Sequence, residues 1–316
     1  MPPGGQLGFV ADAARDGWAV DTPPQSGDYF VPGDPYEGFV VEYDIAGVER
    51  HYTNCGLKNK IDIPMTSVTN TSSGSINSAN WTGERISGSE GVRIEQNVSF
   101  SDEQLLFTID IVLTNTGTIP LESVEYMRNV DLDQEQGLTG DYTTSNFVAF
   151  QPGGGSNQAL VVAKGLDYGL AVGLGTTDAR AVVSVTDWEM DPDVVLDSPV
   201  APTESSPLVQ DYMINLAYRF GTLNPGESVT FQFKYILKDD PTVIDPILTA
   251  AKAGTGSGEI TSDPTGIDTA SGQNNAALAQ DTPVNVTATA AVGSTFIGWS
   301  GLQYSNDPND KCGNEF

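Results

Sequence analysis

The densest run of side chains able to do chemistry is Arg128-Asn129-Val130-Asp131-Leu132-Asp133-Gln134-Glu135-Gln136-Gly137, with Asp141 just beyond it. If this segment stays extended, Asp131, Asp133 and Glu135 project from one face while Val130 and Leu132 turn to the core. Three like charges at that spacing repel unless solvent or a hard cation neutralises them. Carboxylate oxygens are the ligands calcium takes. Asp131, Asp133, Glu135 and Asp141 are therefore the expected calcium ligands. The competing reading is a solvated acidic edge.

The order of acids is close to a D-x-D-x-[DN]-G calcium loop, with Gly137 one residue late and no ligand at the usual last position. A second acidic stretch, Asp187-Trp188-Glu189-Met190-Asp191-Pro192-Asp193, leads to Asp197. Trp188 among acids fits either a platform for a sugar or a buried anchor of a sandwich. Trp188 and Arg128, the cation at the head of the first run, are the residues expected to meet a ligand. Paired acids such as Asp131/Asp133 and Asp191/Asp193 would serve glycan hydrolysis only at a suitable separation, which the sequence does not fix.

The remaining chemistry is sparse. The single histidine, His51, lies between Arg50 and Tyr52 and reads as a surface or hydrogen-bonded residue. The two cysteines, Cys55 and Cys312, fall in different expected domains and are not expected to pair with each other. No C-x-x-C, G-x-S-x-G, H-E-x-x-H or phosphate loop is present, which argues against zinc, redox, serine-hydrolase and phosphate-loop nucleotide chemistry. N-x-S/T sequons at Asn70, Asn80, Asn97 and Asn285 suggest exposed loops.

These residues need strands to hold them. In Leu105-Leu106-Phe107-Thr108-Ile109-Asp110-Ile111-Val112-Leu113, alternate apolar residues share one face with period two. Val229 to Leu237 repeats the pattern after the turn Asn224-Pro225-Gly226-Glu227. Further strands are expected at 39–43, 92–100, 124–130, 159–163, 168–173, 181–186 and 212–220. The stretch Asn77 to Gly88 reads as polar and turn-rich, with Trp81 as an isolated anchor. Many half-buried antiparallel strands imply an all-β fold, a large antiparallel two-sheet sandwich over residues 1–240. A linker over 241–258, with a short helix at Ile247–Ala253, then leads to a small β repeat over 259–316. Val284–Ala290 is the repeat's clearest strand.

Composition agrees. The 316 residues include 34 Gly and 19 Pro, suited to many turns, and only 18% charged residues. Acids outnumber bases 42 to 14, a formal charge of −28 that disfavours nucleic acid and anionic membrane as partners and attracts cations. The same charge also serves plain solubility. No run approaches the roughly 20 apolar residues that span a bilayer. Met1-Pro2-Pro3-Gly4-Gly5 has neither the basic start nor the apolar core of an export signal. The chain reads as a fragment whose signal lies upstream.

The tail Val284-Asn285-Val286-Thr287-Ala288-Thr289-Ala290 through Gly293-Ser294-Thr295-Phe296-Ile297-Gly298-Trp299-Ser300-Gly301 resembles the small bacterial extracellular repeat related to the B-repeats of internalins. That resemblance implies a non-catalytic spacer or adhesion module. Family members carry a cysteine pair around the Trp-Ser-Gly turn, and here Cys312 is the one cysteine downstream. In the large domain, Ile111 to Gly117 and Gly221 to Val229 resemble strand-exit and turn phrases of bacterial surface sandwiches. Its overall spacing is similar to the supersandwich of galactose-mutarotase-like proteins. Mutarotase catalysis requires histidine with a carboxylate, so the lone His51 gives no reason to expect that activity. The resulting expectation is a non-catalytic, calcium-stabilised binding or structural module of a secreted or cell-surface bacterial protein, adhesin-like, monomeric, with a glycan or surface ligand. The alternative is an accessory carbohydrate-binding or spacer region of a secreted enzyme.

Overall fold

A computed structural model describes residues 37–54, 61–74, 76–101, 106–153, 157–237, 247–277 and 284–299. Cys55, Cys312 and the start of the chain lie outside them. The chain divides into two units, residues 1–244 and 245–316. No helix among the described residues is long and apolar enough to cross a membrane.

The first unit begins with β1 (Glu37–Ile45), β2 (Val48–Thr53), β3 (Ile61–Asp62), β4 (Met65–Asn70) and β5 (Ile76–Ser87). It continues with β6 (Glu90–Ser101), β7 (Leu106–Asn115) and β8 (Leu121–Asp131), then the short helix α1 (Gln136–Thr139). There follow β9 (Thr144–Phe150), β10 (Ala159–Gly165), β11 (Ala171–Thr176), β12 (Ala181–Thr186) and helix α2 (Pro192–Asp197). It closes with β13 (Leu208–Gln210), β14 (Met213–Leu223) and β15 (Ser228–Ile236). Two sheets result: six strands in the order β12-β14-β8-β1-β2-β3, and nine in the order β13-β9-β10-β11-β15-β7-β6-β5-β4.

Period-two patterning explains why the sheets pack face to face. On β7 and β15, Phe107, Ile109 and Ile111 stand opposite Tyr235, Phe233 and Phe231, all buried. They meet Phe39, Tyr126 and Tyr218 of the six-stranded sheet in one continuous core; Tyr126 lies edge-on to Phe231 with ring centroids 4.8 Å apart. The two turn phrases noted in the sequence come together. Asn115 donates through Nδ2 to the Ile119 and Leu223 carbonyls, and its own carbonyl accepts from Gly226 N–H.

Two expectations need correction. Asn77 to Gly88 is no polar loop; Ile76–Ser87 forms the long strand β5, paired along its length with β6. Its inward face is made of a few residues around one large ring. Trp81 fills the core, and a Cβ at Gly83 would lie 2.3 Å from that ring. A strand whose buried face is one tryptophan and a glycine shows little hydrophobic alternation.

In the second unit, Ile247–Thr249 is not helical. It forms β16, antiparallel to β18 (Asn275–Ala277). With the β-branched Ile247 and Thr249 flanking Leu248, the run suits a pleated strand as well as a helical turn, and a pairing partner decides between them. β17 (Gly258–Asp263) pairs with β19 (Asn285–Ala290), and Ile260 and Ile267 form a small buried cluster with Val286 and Ala250 against it.

Candidate functional site

Strand β8 ends at Asp131, and the chain then leaves the extended conformation. Gln136 N–H donates to the Asp133 carbonyl, and Glu135 enters α1 with φ −105° and ψ −4°. The single acidic face expected from Asp131 to Glu135 therefore does not form. Asp131 and Asp133 are nonetheless brought together, both buried, and are joined by exposed Asp211 from the segment before β14. Pairing of Met213 with Asp131 places Asp211 there. One carboxylate oxygen from each of the three lies within 4.8 Å of the others.

Glu135 is committed elsewhere. Its Oε2 accepts from Asp167 N–H at 2.9 Å, and Oε1 from Tyr168 and Leu170 N–H at 3.1 and 3.0 Å. It ties down the β10–β11 turn, seated so closely on Gly165 that a Cβ there would lie 2.0 Å from the carboxylate. Asp141 is exposed and accepts from Thr143 N–H at 2.9 Å, a bond that holds its carboxyl below the ordinary range.

Arg128 is fully buried and reaches across the core to the nine-stranded sheet. Its guanidinium pairs with Glu37, donates to Gln96 Oε1 at 2.9 Å and to Tyr235 Oη at 3.2 Å, and lies over the Phe233 ring. Tyr235 Oη in turn donates to Glu37 Oε1 at 2.9 Å. Trp188, at φ 38°, is half-buried and packs on Val40, Met127, Met190, Val195, Met213 and Ala217 on the outer face of the six-stranded sheet.

On that same outer face lies a second polar site. Strand register sets Arg219, Glu125, Glu42 and His51 side by side on β14, β8, β1 and β2. Arg219 donates from Nε to Glu125 Oε1 at 2.5 Å, from Nη2 to Asp193 at 2.7 Å and from Nη1 to Asp197 at 2.9 Å. His51 Nδ1 lies 2.7 Å from Glu42 Oε2, and its Nε2 contacts Glu49. A cleft of about 500 Å³ opens over the row, with carboxylates of Glu42, Asp44, Glu49, Glu122, Glu125 and Asp193 on its wall. Ladder registers slip here, against β1 between Glu42 and Asp44 and against β14 between Arg219 and Gly221. Ser123 on the wall sits at φ 49°, a left-handed conformation non-glycine residues rarely take.

The electrostatics follow from this geometry. Glu42 and Glu125 stand directly opposite each other, which is unfavourable for two charges. Burial pushes the Glu125 carboxyl up to about 7, against the pull of its Arg219 hydrogen bond and with help from Asp193 and Glu42. Burial likewise raises Glu42, opposed by His51. Glu42 belongs to two trios compact enough for a cation, with Glu49 and His51 and with Asp191 and Asp193. The first contains the basic ring of His51, and the second shares Asp193 with Arg219. The trio Asp131, Asp133 and Asp211 consists of carboxylates alone.

Sequence reading missed Asp211, Glu42, Glu125 and Arg219. The signal for the two glutamates was present: each is a single acid inside an apolar strand, Phe39-Val40-Val41-Glu42-Tyr43 and Val124-Glu125-Tyr126-Met127. Asp211 had no local signal, because only strand pairing brings it to β8.

No family model matches the chain, and no curated protein matches it. Among solved structures it is similar to a galactose mutarotase-like protein from Clostridium acetobutylicum, at 9% identity and TM-score 0.35, over 63% of this chain and 78% of that one. A galactose mutarotase-like protein from Lactobacillus casei ATCC 334 gives 10% identity and TM-score 0.36, over 67% and 90%. A galactose mutarotase related enzyme from Lactobacillus acidophilus gives 11% and 0.28, over 62% and 78%. All three likenesses are loose.

Proposed function

We propose that the first unit is a non-catalytic binding and structural sandwich of a secreted or surface protein, stabilised by calcium at Asp131, Asp133 and Asp211. The observation that carries this reading is the convergence of two buried carboxylates and one exposed one within 4.8 Å. A hard divalent ion would take oxygens from all three and fasten the end of β8 to the segment leading into β14. Asp131 and Asp133 come from the sequence pattern; Asp211 replaces Glu135 and Asp141, which hold backbone N–H groups instead.

The test is a thermal melt in calcium against sodium at matched ionic strength. Binding to the folded state alone stabilises it by about 2.7 kcal/mol at a hundredfold excess over Kd. The melting temperature should rise in millimolar calcium and much less in magnesium, which demands a tighter octahedron. The rise should vanish in Asp131→Asn/Asp133→Asn and shrink in Asp211→Asn, yet persist in Glu135→Gln. Equal melting temperatures in calcium and sodium would reduce the trio to an acidic edge.

A further inference from the structure

Each of the two sheets of the first unit ends in an edge strand at either side, and among the described residues all but one of these edges are blunted. β12 is covered: Val183 exchanges hydrogen bonds through its N–H and C=O with the Gln151 side chain, and Val185 N–H donates to the Val200 carbonyl. β3 has two residues and β13 three, too short to template a further strand. β4 is different. It has six residues, all exposed, and among the described residues it pairs with β5 alone. Residues 63–83 carry no charged side chain, and 65–73 neither proline nor glycine. The charges and prolines that ordinarily blunt an edge are therefore missing. A register slip between Met65 and Ser67 disturbs only the strand's start.

The ladder shows which groups lie open. Thr71 N–H donates to the Ser78 carbonyl at 2.9 Å, so by antiparallel alternation Thr69 also bonds toward β5. The N–H and C=O of Val68 and Asn70 then point away from it. The side chains agree. Val68 stands opposite Trp81 and so faces the side on which Trp81 is buried, yet Val68 is 46% exposed and Met65 41%. A further strand would meet these backbone groups and cover these apolar side chains. Charge narrows the occupant. The chain carries −28, so two copies repel over most of their surface, and a basic partner would be held by the acids instead of by this neutral stretch. A neutral edge is where two such chains can approach.

We propose that β4 pairs antiparallel with the β4 of a second copy of this chain, joining their nine-stranded sheets across a two-fold axis at Thr69. In that register Val68 of each copy lies opposite Asn70 of the other and exchanges N–H···O=C bonds with it, outward groups meeting outward groups. The pairing uses up the open edge, so it closes at two copies. It replaces the monomer expected from the sequence, and it does not depend on the calcium trio.

The experiment is sedimentation equilibrium of the whole chain over a range of concentrations up to submillimolar. The contact is small, so a weak dimer is expected, its average mass rising towards twice that of the chain. Raising salt from about 0.15 M to about 0.5 M should strengthen it, because screening relieves the repulsion between two acidic bodies. Thr69→Glu sets two like charges face to face on the axis, and Val68→Pro removes an outward donor without touching a bond to β5. Each should weaken dimerisation at least about tenfold. Val209→Glu adds the same charge to the exposed edge β13 and should dimerise like wild type. Thermal melts at low concentration check that the variants fold. Thr69→Glu changes only an exposed side chain and carries the decision if the proline variant does not fold. A wild-type chain monomeric at every concentration would leave the edge to a strand of another protein and overturn the proposal. So would dimers that persist in both β4 variants, dimers that weaken with salt, equal losses in Val209→Glu, or growth beyond two copies.

Discussion

Arg128 and Arg219 emerge from opposite faces of the same sheet, each beside a buried glutamate, and their surroundings differ in one respect. Around Arg128 the network closes on itself: Glu37, Gln96 and Tyr235 take up its donors, and Tyr235 also bonds Glu37. Around Arg219 the network stays open, because the guanidinium is half-exposed and Glu125 keeps one buried oxygen unbonded. A closed polar network inside a sandwich specifies how two sheets register. An open one leaves a buried acceptor unmet, at a cost in stability. Arginine and acid in one strand are therefore not evidence of a site until the accounting of donors and acceptors is complete.

Breaking the closed network should have the largest effect. Arg128→Ala leaves Glu37 buried beside Tyr235 with no cation, and removal of one partner from a buried pair costs about 3–5 kcal/mol. Urea unfolding should show that loss as a lower midpoint at unchanged slope. Arg128→Met combined with Glu37→Gln should recover much of it, since no charge then stays buried. A loss below about 1 kcal/mol for Arg128→Ala would mean that water reaches this network and that the contrast with Arg219 is one of degree.

The two networks were unequally legible in the sequence. Strands β7 and β15 stand out because one face of each is fully apolar, and with the turn at 224–227 they fix the sandwich class. Strand β5 does not, because Trp81 is the one large apolar residue on its buried face, which otherwise holds Asn77, Ala79, Gly83 and Arg85. The pairing of Asp131 with Asp133 is local and readable. The diversion of Glu135 is not, because the N–H groups it accepts belong to residues 167, 168 and 170, reached only when β10 and β11 fold back. Glu42 and Glu125 are distant in sequence and meet only through the register of β1 on β8. Arg128 looked like part of an acidic surface run, yet alternation along β8 turns it inward, the face opposite Met127 and Asn129.

The open network should show itself in pH dependence. Glu125 has an ordinary carboxyl value near 4.5 when unfolded and is pushed up to about 7 in the folded chain by burial. Below about pH 4.5 both states carry the proton and its favourable contribution is fully present. As pH rises through the window to 7 the unfolded state loses the proton first, so stability falls, by up to about 3 kcal/mol and less where water screens the cleft. Glu42 is displaced in the same direction and adds to the slope. Glu125→Gln should flatten this decline and melt above wild type at pH 8. An unchanged slope between pH 5 and 7 would show that Glu125 ionises normally and that its unbonded oxygen is hydrated.

The smallest effect is expected at the exposed end of the open network. Arg219 Nη1 reaches Asp197 at 2.9 Å, a contact as short as many interior ones, but the two side chains are 46% and 62% exposed. Water competes for both charges and salt screens them, so a double-mutant cycle of Arg219→Lys with Asp197→Asn should give a coupling of about 0.2–1 kcal/mol, falling further in half-molar salt. The same cycle between Arg219→Lys and Glu125→Gln should give more, because Glu125 is buried and lysine cannot reproduce the Nε–H that Oε1 accepts. Distance and burial rank these two pairs alike, and burial supplies the physical reason. Equal couplings in the two cycles would mean that Arg219 acts as a diffuse surface charge, and the row across β14, β8 and β1 would then lose its claim to be a preorganised wall.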